Sequence, residues 1–428
     1  MYKLLYIVLD GLGDRPCRDL NGKTPLEAAE TPNMDKLASL GKSGIVDTVG
    51  PGIAPESDIA VISILGYDAE KYYTGRGPLE CYAIGIDVKP GDLAFRVNFA
   101  TMDENRYLSD RRAGRDLSTE EAKALAEEVN NKVKLTSHPA EFKFVSTVGH
   151  RGVLWIRCKE GPLSANITNT DPAYDKIGYF GVAKEKFEPY LQVCKPLDDS
   201  IEARRAADLT NEFVEKSHIV LNNAEVNLKR KAQGKMMGNV ILTRDAGDRL
   251  PQFPDIKKLF GLNFACFAEM PVEMGIAMLT GMDIVELPEP TGDPEVDYPL
   301  RVEKTVEYMN RYDALYIHLK GPDIPGHDGK AIEKRDSISA IDKYFFGGLL
   351  PRINLSDVVM AITADHSTPC DLRAHSDDPV PLLIVGAGIE SDGTLNYSER
   401  ECSKGSLGRL LGNQLMPLFV KLIGKGED

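Results

Sequence analysis

The sequence predicts an α/β fold in which a largely parallel sheet, flanked by helices, is interrupted by a smaller inserted α+β domain. Leu4 to Leu9, Ala314 to Leu319 and Val358 to Thr363 are short, almost wholly apolar runs, the pattern of strands covered on both faces. Helical stretches alternate with the later runs, and such alternation builds parallel sheets. Each run also leads into a carboxylate: Asp10, Asp323 and Asp365. In a parallel sheet the strand C-termini share one edge, where ligands bind. The first strand therefore belongs beside the C-terminal ones, and the middle of the chain is an insertion.

The elements run in order along the chain. Lys3 to Leu9 is the first strand. After the loop from Gly11 to Gly22, Thr31-Pro32 marks a helix start, with Thr31 as N-cap and Pro32 at the first helical position. Met34, Leu37 and Ala38 share one face of that helix, and Gly41 stops it. Pro55-Glu56-Ser57-Asp58 precedes a helical run from Ile59 to Leu65. Asp92 to Thr101, Glu141 to Val148 and Val153 to Arg157 read as strands, and Ser118 to Asn131 as a capped helix. Ile201 to Arg244 reads as helix followed by a strand from Asn239 to Thr243, assigned to the core. Tyr298 to Tyr312 and Ile332 to Leu350 are helical, Pro381 to Val385 is a further strand, and Leu407 to Ile423 is a final amphipathic helix kinked at Pro417. The expected division is 1–85 and 200–428 for a metal-binding core and 86–199 for a substrate-handling insert.

Composition narrows the function. At 428 residues the chain exceeds what one hydrophobic core usually covers. A net charge of −14 argues against nucleic acid as a partner, while leaving room for a small anionic substrate gripped by a few arginines. The seven cysteines are scattered, odd in number and form no C-x-x-C pair, which reads as reduced thiols in a cytoplasmic protein. The apolar run before Asp10 is too short for a secretory signal. No stretch approaches the ~20 apolar residues of a membrane span, so no membrane partner is expected. Oligomeric state is open, a homo-oligomer included.

The candidate chemistry lies in the loops after the strands. Asp323-Ile-Pro-Gly-His327 can bring a carboxylate and an imidazole to one cation, and Asp365-His366 has the same character. Three of the seven histidines, His327, His366 and His375, come after strand ends within one short stretch of sequence. Core-filling histidines would not cluster in this way. Together with Asp10 they suit a pair of divalent cations such as Mn²⁺ or Zn²⁺. Ser57 at a helix start could be a plain N-cap. It could equally be a nucleophile, since the positive end of the helix dipole favours an alkoxide and an incoming phosphate. No histidine base lies in its segment, and metal coordination would supply the missing activation. Lys320 adds a cation just before Asp323. Arg111, Arg112 and Arg115, then His150-Arg151, and more weakly Arg244, form groups fit to clamp phosphate or carboxylate.

Several motifs then match a known pattern: Tyr6-Ile-Val-Leu-Asp-Gly-Leu-Gly-Asp, Thr31-Pro-Asn-Met-Asp-Lys-Leu-Ala, Ser57-Asp-Ile-Ala, Tyr73-Thr-Gly-Arg-Gly-Pro-Leu-Glu, Asp110-Arg-Arg-Ala-Gly-Arg, His318-Leu-Lys-Gly-Pro-Asp-Ile-Pro-Gly-His-Asp-Gly and Thr363-Ala-Asp-His-Ser-Thr-Pro. In this order, over essentially the whole chain, they resemble the archaeal-type cofactor-independent phosphoglycerate mutases of the alkaline phosphatase superfamily. The resemblance implies an isomerase that interconverts 3-phosphoglycerate and 2-phosphoglycerate through a phosphoserine. It implies two divalent ions (Mn²⁺ foremost, with Mg²⁺, Co²⁺ or Zn²⁺ as alternatives), no 2,3-bisphosphoglycerate, and an insert that closes over the core. Ser57 resembles the nucleophile and a ligand of one ion with Asp10, Asp365 and His366. Asp323, His327 and His375 resemble the ligands of the other. Arg111, Arg115, His150 and Arg151 fall in motifs similar to substrate-binding ones. Two residues depart from the pattern: Glu56 stands where a small residue is expected before the serine, and Asp245 where glycine is expected after Arg244. A phosphatase or a mutase for another phosphate ester is the alternative on the same core, because fold and metal chemistry are shared across activities. A catalytically dead binding protein is the third reading.

Overall fold

In the computed structural model, which describes residues 2–184 and 186–424, Leu4 to Leu9 are completely buried within an eight-stranded sheet. The strand order is Asp283–Ile284, Phe264–Phe267, Ala314–Leu319, Lys3–Leu9, Val358–Thr363, Val380–Gly386, Lys42–Asp47 and Gly408–Leu411. Every neighbouring pair is parallel except the two that involve Val380–Gly386. This is the largely parallel α/β class expected, with first and late strands side by side. Register then places the chemistry. Leu9 lies opposite Leu319 and Val8 opposite Thr363, so Asp10, Lys320 and Asp365 emerge together at the carboxyl edge.

The chain divides into two compact units, Met1–Tyr72 with Gln252–Asp428, and Tyr73–Pro251. The second is wider than the span 86–199 read from the sequence. Its five-stranded sheet pairs Leu93–Met102 antiparallel with both Arg151–Cys158 and Val240–Gly247. The Ile201–Asn222 helix buries Ala203, Ala206, Leu209, Phe213 and Leu221 in the same apolar core as Phe95, Phe99 and Phe144. Ile201 to Arg244 therefore belongs to the insert. The Thr119–Lys132 helix starts as expected, with Ser118 and Glu121 forming a capping box.

Three further elements differ from expectation. Thr31 occupies the N-cap of the Pro32–Leu40 helix, yet its hydroxyl does not cap it. Asp342 does so instead, accepting from the N–H groups of Asn33 and Met34 at 3.2 and 2.7 Å. Asp342 sits in a π-helical turn, Ile341–Phe346, that interrupts the helix expected over Ile332 to Leu350. Leu407 to Ile423 is not one helix. Gly408–Leu411 is a strand paired with Lys42–Asp47, and Leu415–Leu422 alone is α-helical. Gly408, at φ +67°, leaves the helical region. Pro417 lies in the first turn of the short helix, where its missing N–H costs nothing.

Candidate metal centre and guanidinium cluster

All the carboxylates and imidazoles expected to bind metal converge in the first unit. Asp323 Oδ1 lies 3.4 Å from His327 Nε2 and 3.6 Å from His375 Nε2. His366 Nε2 lies 3.4 Å from Asp10 Oδ1, 3.2 Å from Asp365 Oδ2 and 3.1 Å from Ser57 Oγ. Ser57 is the first residue of the Ser57–Ile64 helix. The imidazole nitrogen beside the Ser57 hydroxyl is thus supplied by His366, hundreds of residues away in sequence. Lys320 Nζ is 2.7 Å from both Asp10 Oδ2 and Glu273 Oε1.

The imidazoles are oriented from behind. His327 Nδ1 faces the carbonyl of Arg373 at 3.1 Å and His375 Nδ1 that of Pro55 at 2.8 Å. A carbonyl only accepts, so both Nδ1 atoms carry hydrogen, and the two Nε2 atoms, 3.2 Å apart, can face each other only with a proton or a metal cation between them. Among the described residues, Asp10 Oδ1 and Asp365 Oδ2 are buried without a hydrogen-bond partner, which is costly for carboxylates. Oxygen and imidazole donors with uncommitted lone pairs fit divalent cations, and a backbone carbonyl on the far ring nitrogen is the usual support of a metal-binding imidazole.

The protonation equilibria register the same shortage of positive charge. Burial opposes a charged His375, but Glu56 and Asp323 outweigh it and push the imidazole up to about 10. Glu56, the unexpected carboxylate before Ser57, lies 3.8 Å from His375 Nδ1. Burial raises Asp10 well above the usual carboxylate range, against the pull of Lys320. Burial works against the Asp323 carboxylate as well, yet His375 and His327 hold it well below that range. For Lys320 burial is likewise outweighed, here by Asp10 and Glu273, and its ammonium stays above the ordinary value. His318, wholly buried behind Asp365, is brought down to about 4 by burial and by Lys320.

Asp14, Cys17 and Cys370 form another potential ligand group. The buried Lys334 ammonium already neutralises Asp14 at 2.9 Å, and burial and Asp14 push the Cys17 thiol up to about 12. Cationic neighbours and protonated thiols do not suit a metal.

The basic residues converge in the second unit. Arg111 binds Asp171 through two hydrogen bonds of 2.8 and 2.7 Å, and Arg244 lies 3.8 Å from the same carboxylate. The Tyr174 ring centroid is 4.0 Å from the Arg244 guanidinium and 5.3 Å from that of Arg111, at cation–π range. Burial lowers Arg151, and Arg76, Arg244 and Arg115 lower it further. Burial, then Arg151, Arg96, Arg244 and Arg115, drive His150 down to about 3. All five expected basic residues, Arg111, Arg115, His150, Arg151 and Arg244, therefore share one electrostatic neighbourhood. Arg112 is not among the groups that shift them. Asp245, where glycine was expected, adopts φ +55°, a conformation that explains why glycine suits the position.

Sequence reading missed Glu273, His318, Arg76 and Arg96. Each left a trace: Glu273 is the lone charge in the apolar helix Pro271–Thr280, His318 interrupts the apolar Ala314–Leu319 strand, and Arg96 interrupts Leu93–Met102. Arg76 stands in a motif that carried the resemblance. Glu80 pairs with Arg76 at 2.6 Å and lies 3.8 Å from Arg96.

Sheet and donor set together define the class: a largely parallel α/β fold with a candidate centre for divalent cations at its carboxyl edge. A sequence profile described as 2,3-bisphosphoglycerate-independent phosphoglycerate mutase matches residues 38–227. Relatives of that name from Aeropyrum pernix and Thermococcus gammatolerans are each 42% identical, the first over 98% of this chain and 99% of its own, the second over 99% and 98%. A solved cofactor-independent phosphoglycerate mutase from Thermoplasma acidophilum superposes with a TM-score of 0.62 at 31% identity, covering 99% of this chain and 100% of its own. A solved Pyrococcus horikoshii protein superposes at 0.78 with 33% identity, covering 100% and 98%. The chain belongs to the 2,3-bisphosphoglycerate-independent phosphoglycerate mutase family.

Proposed function

We propose that this chain is an isomerase that interconverts 3-phosphoglycerate and 2-phosphoglycerate without 2,3-bisphosphoglycerate, through a phosphoserine at Ser57. The observation that carries the proposal is the convergence of Ser57 Oγ with His366 Nε2, at 3.1 Å, inside a set of buried donors short of positive charge. Asp10, Asp365, His366 and Ser57 would hold one divalent ion, and Asp323, His327 and His375 the other. The oxygen and imidazole donors suit Mn²⁺, with Mg²⁺, Co²⁺ or Zn²⁺ as alternatives. Bound there, such ions would lower the pKa of the serine hydroxyl and offset charge on phosphoryl oxygens.

Ser57 Oγ attacks phosphorus, the bond from phosphorus to the C3 oxygen breaks, and that oxygen gains the proton that Ser57 loses. The C2 hydroxyl of the retained glycerate then attacks phospho-Ser57, and its proton returns to the serine. Lys320 has three N–H donors and two carboxylate partners, which leaves one N–H for a phosphoryl oxygen. Arg111, Arg115, His150, Arg151 and Arg244 are assigned to the substrate's anionic groups, which guanidinium binds bidentately. Seven free, buried cysteines support a reducing compartment, and we place the enzyme in the cytoplasm. Among the described residues, no helix is long and apolar enough to cross a membrane.

The test is ³¹P NMR of 3-phosphoglycerate incubated with the protein and Mn²⁺. The expected result is 2-phosphoglycerate with little inorganic phosphate. Stoichiometric phosphate without 2-phosphoglycerate would make the protein a phosphatase instead.

A further inference from the structure

Thr368 sits where the two groups of candidate ligands meet, and the phosphoryl-transfer chemistry gives it no part. Fully buried in the loop after Val358–Thr363, it donates its hydroxyl hydrogen to Asp323 Oδ1 at 2.8 Å. The same hydroxyl oxygen lies 3.0 Å from His366 Nδ1. A hydroxyl has only one hydrogen to give. With that hydrogen committed to the carboxylate, the oxygen must accept from the imidazole. His366 therefore carries its hydrogen on Nδ1 and turns the Nε2 lone pair toward Asp10, Asp365 and Ser57. Asp323 meanwhile belongs with His327 and His375. One O–H group spans both sets.

The surroundings hold that group in place. The Thr368 N–H donates to the Gly13 carbonyl at 3.0 Å. The Thr368 carbonyl accepts from Lys334 Nζ at 2.9 Å, and the same ammonium binds the Gly13 carbonyl at 3.0 Å. A Cβ added at Gly11 would lie 2.7 Å from Thr368 Oγ1, and one added at Gly326 would lie 2.5 Å from the Thr368 carbonyl oxygen. Both contacts are closer than a side chain tolerates, so these glycines let the backbone close around the threonine.

We propose that Thr368 is a positioning residue that couples the two cation sites, fixing the His366 tautomer in one and the Asp323 carboxylate in the other. This rests on the two-ion reading of the centre and deepens it. Removing such an outer partner costs about 10–100-fold in metal affinity. Here a single substitution weakens both ions, because one hydroxyl serves both.

The experiment has two arms, both on full-length protein. In the first, long-range ¹H–¹⁵N correlation of the chelator-stripped protein reads the His366 tautomer. We expect the Nδ1–H form alone in wild type and Thr368→Ser, and a mixture in Thr368→Val, which keeps the shape and loses the hydroxyl. In the second, Co²⁺ titration is followed by visible absorption and calorimetry. We expect both binding steps to weaken by ~10–100-fold in Thr368→Val and to recover in Thr368→Ser. Circular dichroism checks that the variants fold, and Thr368→Ala replaces Thr368→Val should the latter not fold. An unchanged tautomer, or weakening of only one step, overturns the proposal. Wild-type protein that takes up no Co²⁺ would instead overturn the two-ion reading, and the coupling with it.

Discussion

The carboxylate–imidazole cluster of the first unit and the guanidinium cluster of the second are mirror images in charge. Asp10, Asp323 and Asp365 lie beside three imidazoles whose Nε2 atoms point inward, with Lys320 as the nearby fixed cation. Around Arg76, Arg96, Arg151 and Arg244 the charges are reversed, with Glu80, Asp171 and Asp245 as counter-charges. Burial makes each imbalance matter, because uncompensated charge is poorly tolerated away from water. The first cluster has more buried carboxylates than fixed cations, and the second more guanidiniums than carboxylates. Stability alone would not favour either arrangement. Perturbed groups gathered in this way are the mark of functional sites.

The contrast between the two clusters is most exposed to test at Ser57. Ser57→Ala should lower mutase turnover by ~10³-fold or more while metal content, measured by mass spectrometry, stays nearly unchanged. Retention of most activity would refute the covalent step. Next in size is the ligand set itself: chelation should abolish turnover and added Mn²⁺ restore it, and His327→Ala should lower the bound metal directly. In the guanidinium cluster, Arg244→Lys and Arg111→Ala should raise KM by ~10–100-fold, the worth of one charge-assisted hydrogen bond, with a smaller change in kcat. A fall in kcat with KM unchanged would detach these residues from substrate binding.

The smallest effect concerns protons. Burial and the surrounding arginines hold folded His150 near 3, against about 6.5 in the unfolded chain. The unfolded state therefore binds the extra proton first, and stability falls as pH drops from about 6.5 toward about 3. His150→Gln should flatten that part of the stability profile measured by denaturant titration. In NMR titrations, Arg151→Met should move the His150 midpoint upward. A midpoint near 6.5 in the wild type would show that the guanidinium cluster does not act on this imidazole.

Much of the first cluster was legible in the sequence because parallel strands deliver the residues at their C-terminal ends to a common edge. Once Lys3–Leu9 is placed beside Ala314–Leu319 and Val358–Thr363, Asp10, Lys320 and Asp365 have nowhere else to be. The insert's edges were not legible, since pairing of Leu93–Met102 with Val240–Gly247 is non-local and leaves no mark on either strand. The C-terminal helix was overread for a related reason. Leu410 and Leu411 fit an amphipathic helix by spacing, and only the partner strand Lys42–Asp47 decides otherwise. Asp342 and Thr368 escaped because their importance lies in what they touch: helix N–H groups for one, an imidazole and a carboxylate for the other. Glu273 was visible as an isolated charge in an apolar helix, a signal that asks for a buried partner.

Anomalous diffraction at the manganese edge, from crystals of the Mn²⁺-loaded protein, puts the two-ion centre to the test without relying on turnover. Two peaks are expected, one within coordination distance of Asp323, His327 and His375, the other of Asp10, Asp365 and His366. A single peak, none, or one lodged against Asp14, Cys17 and Cys370 would contradict the assignment.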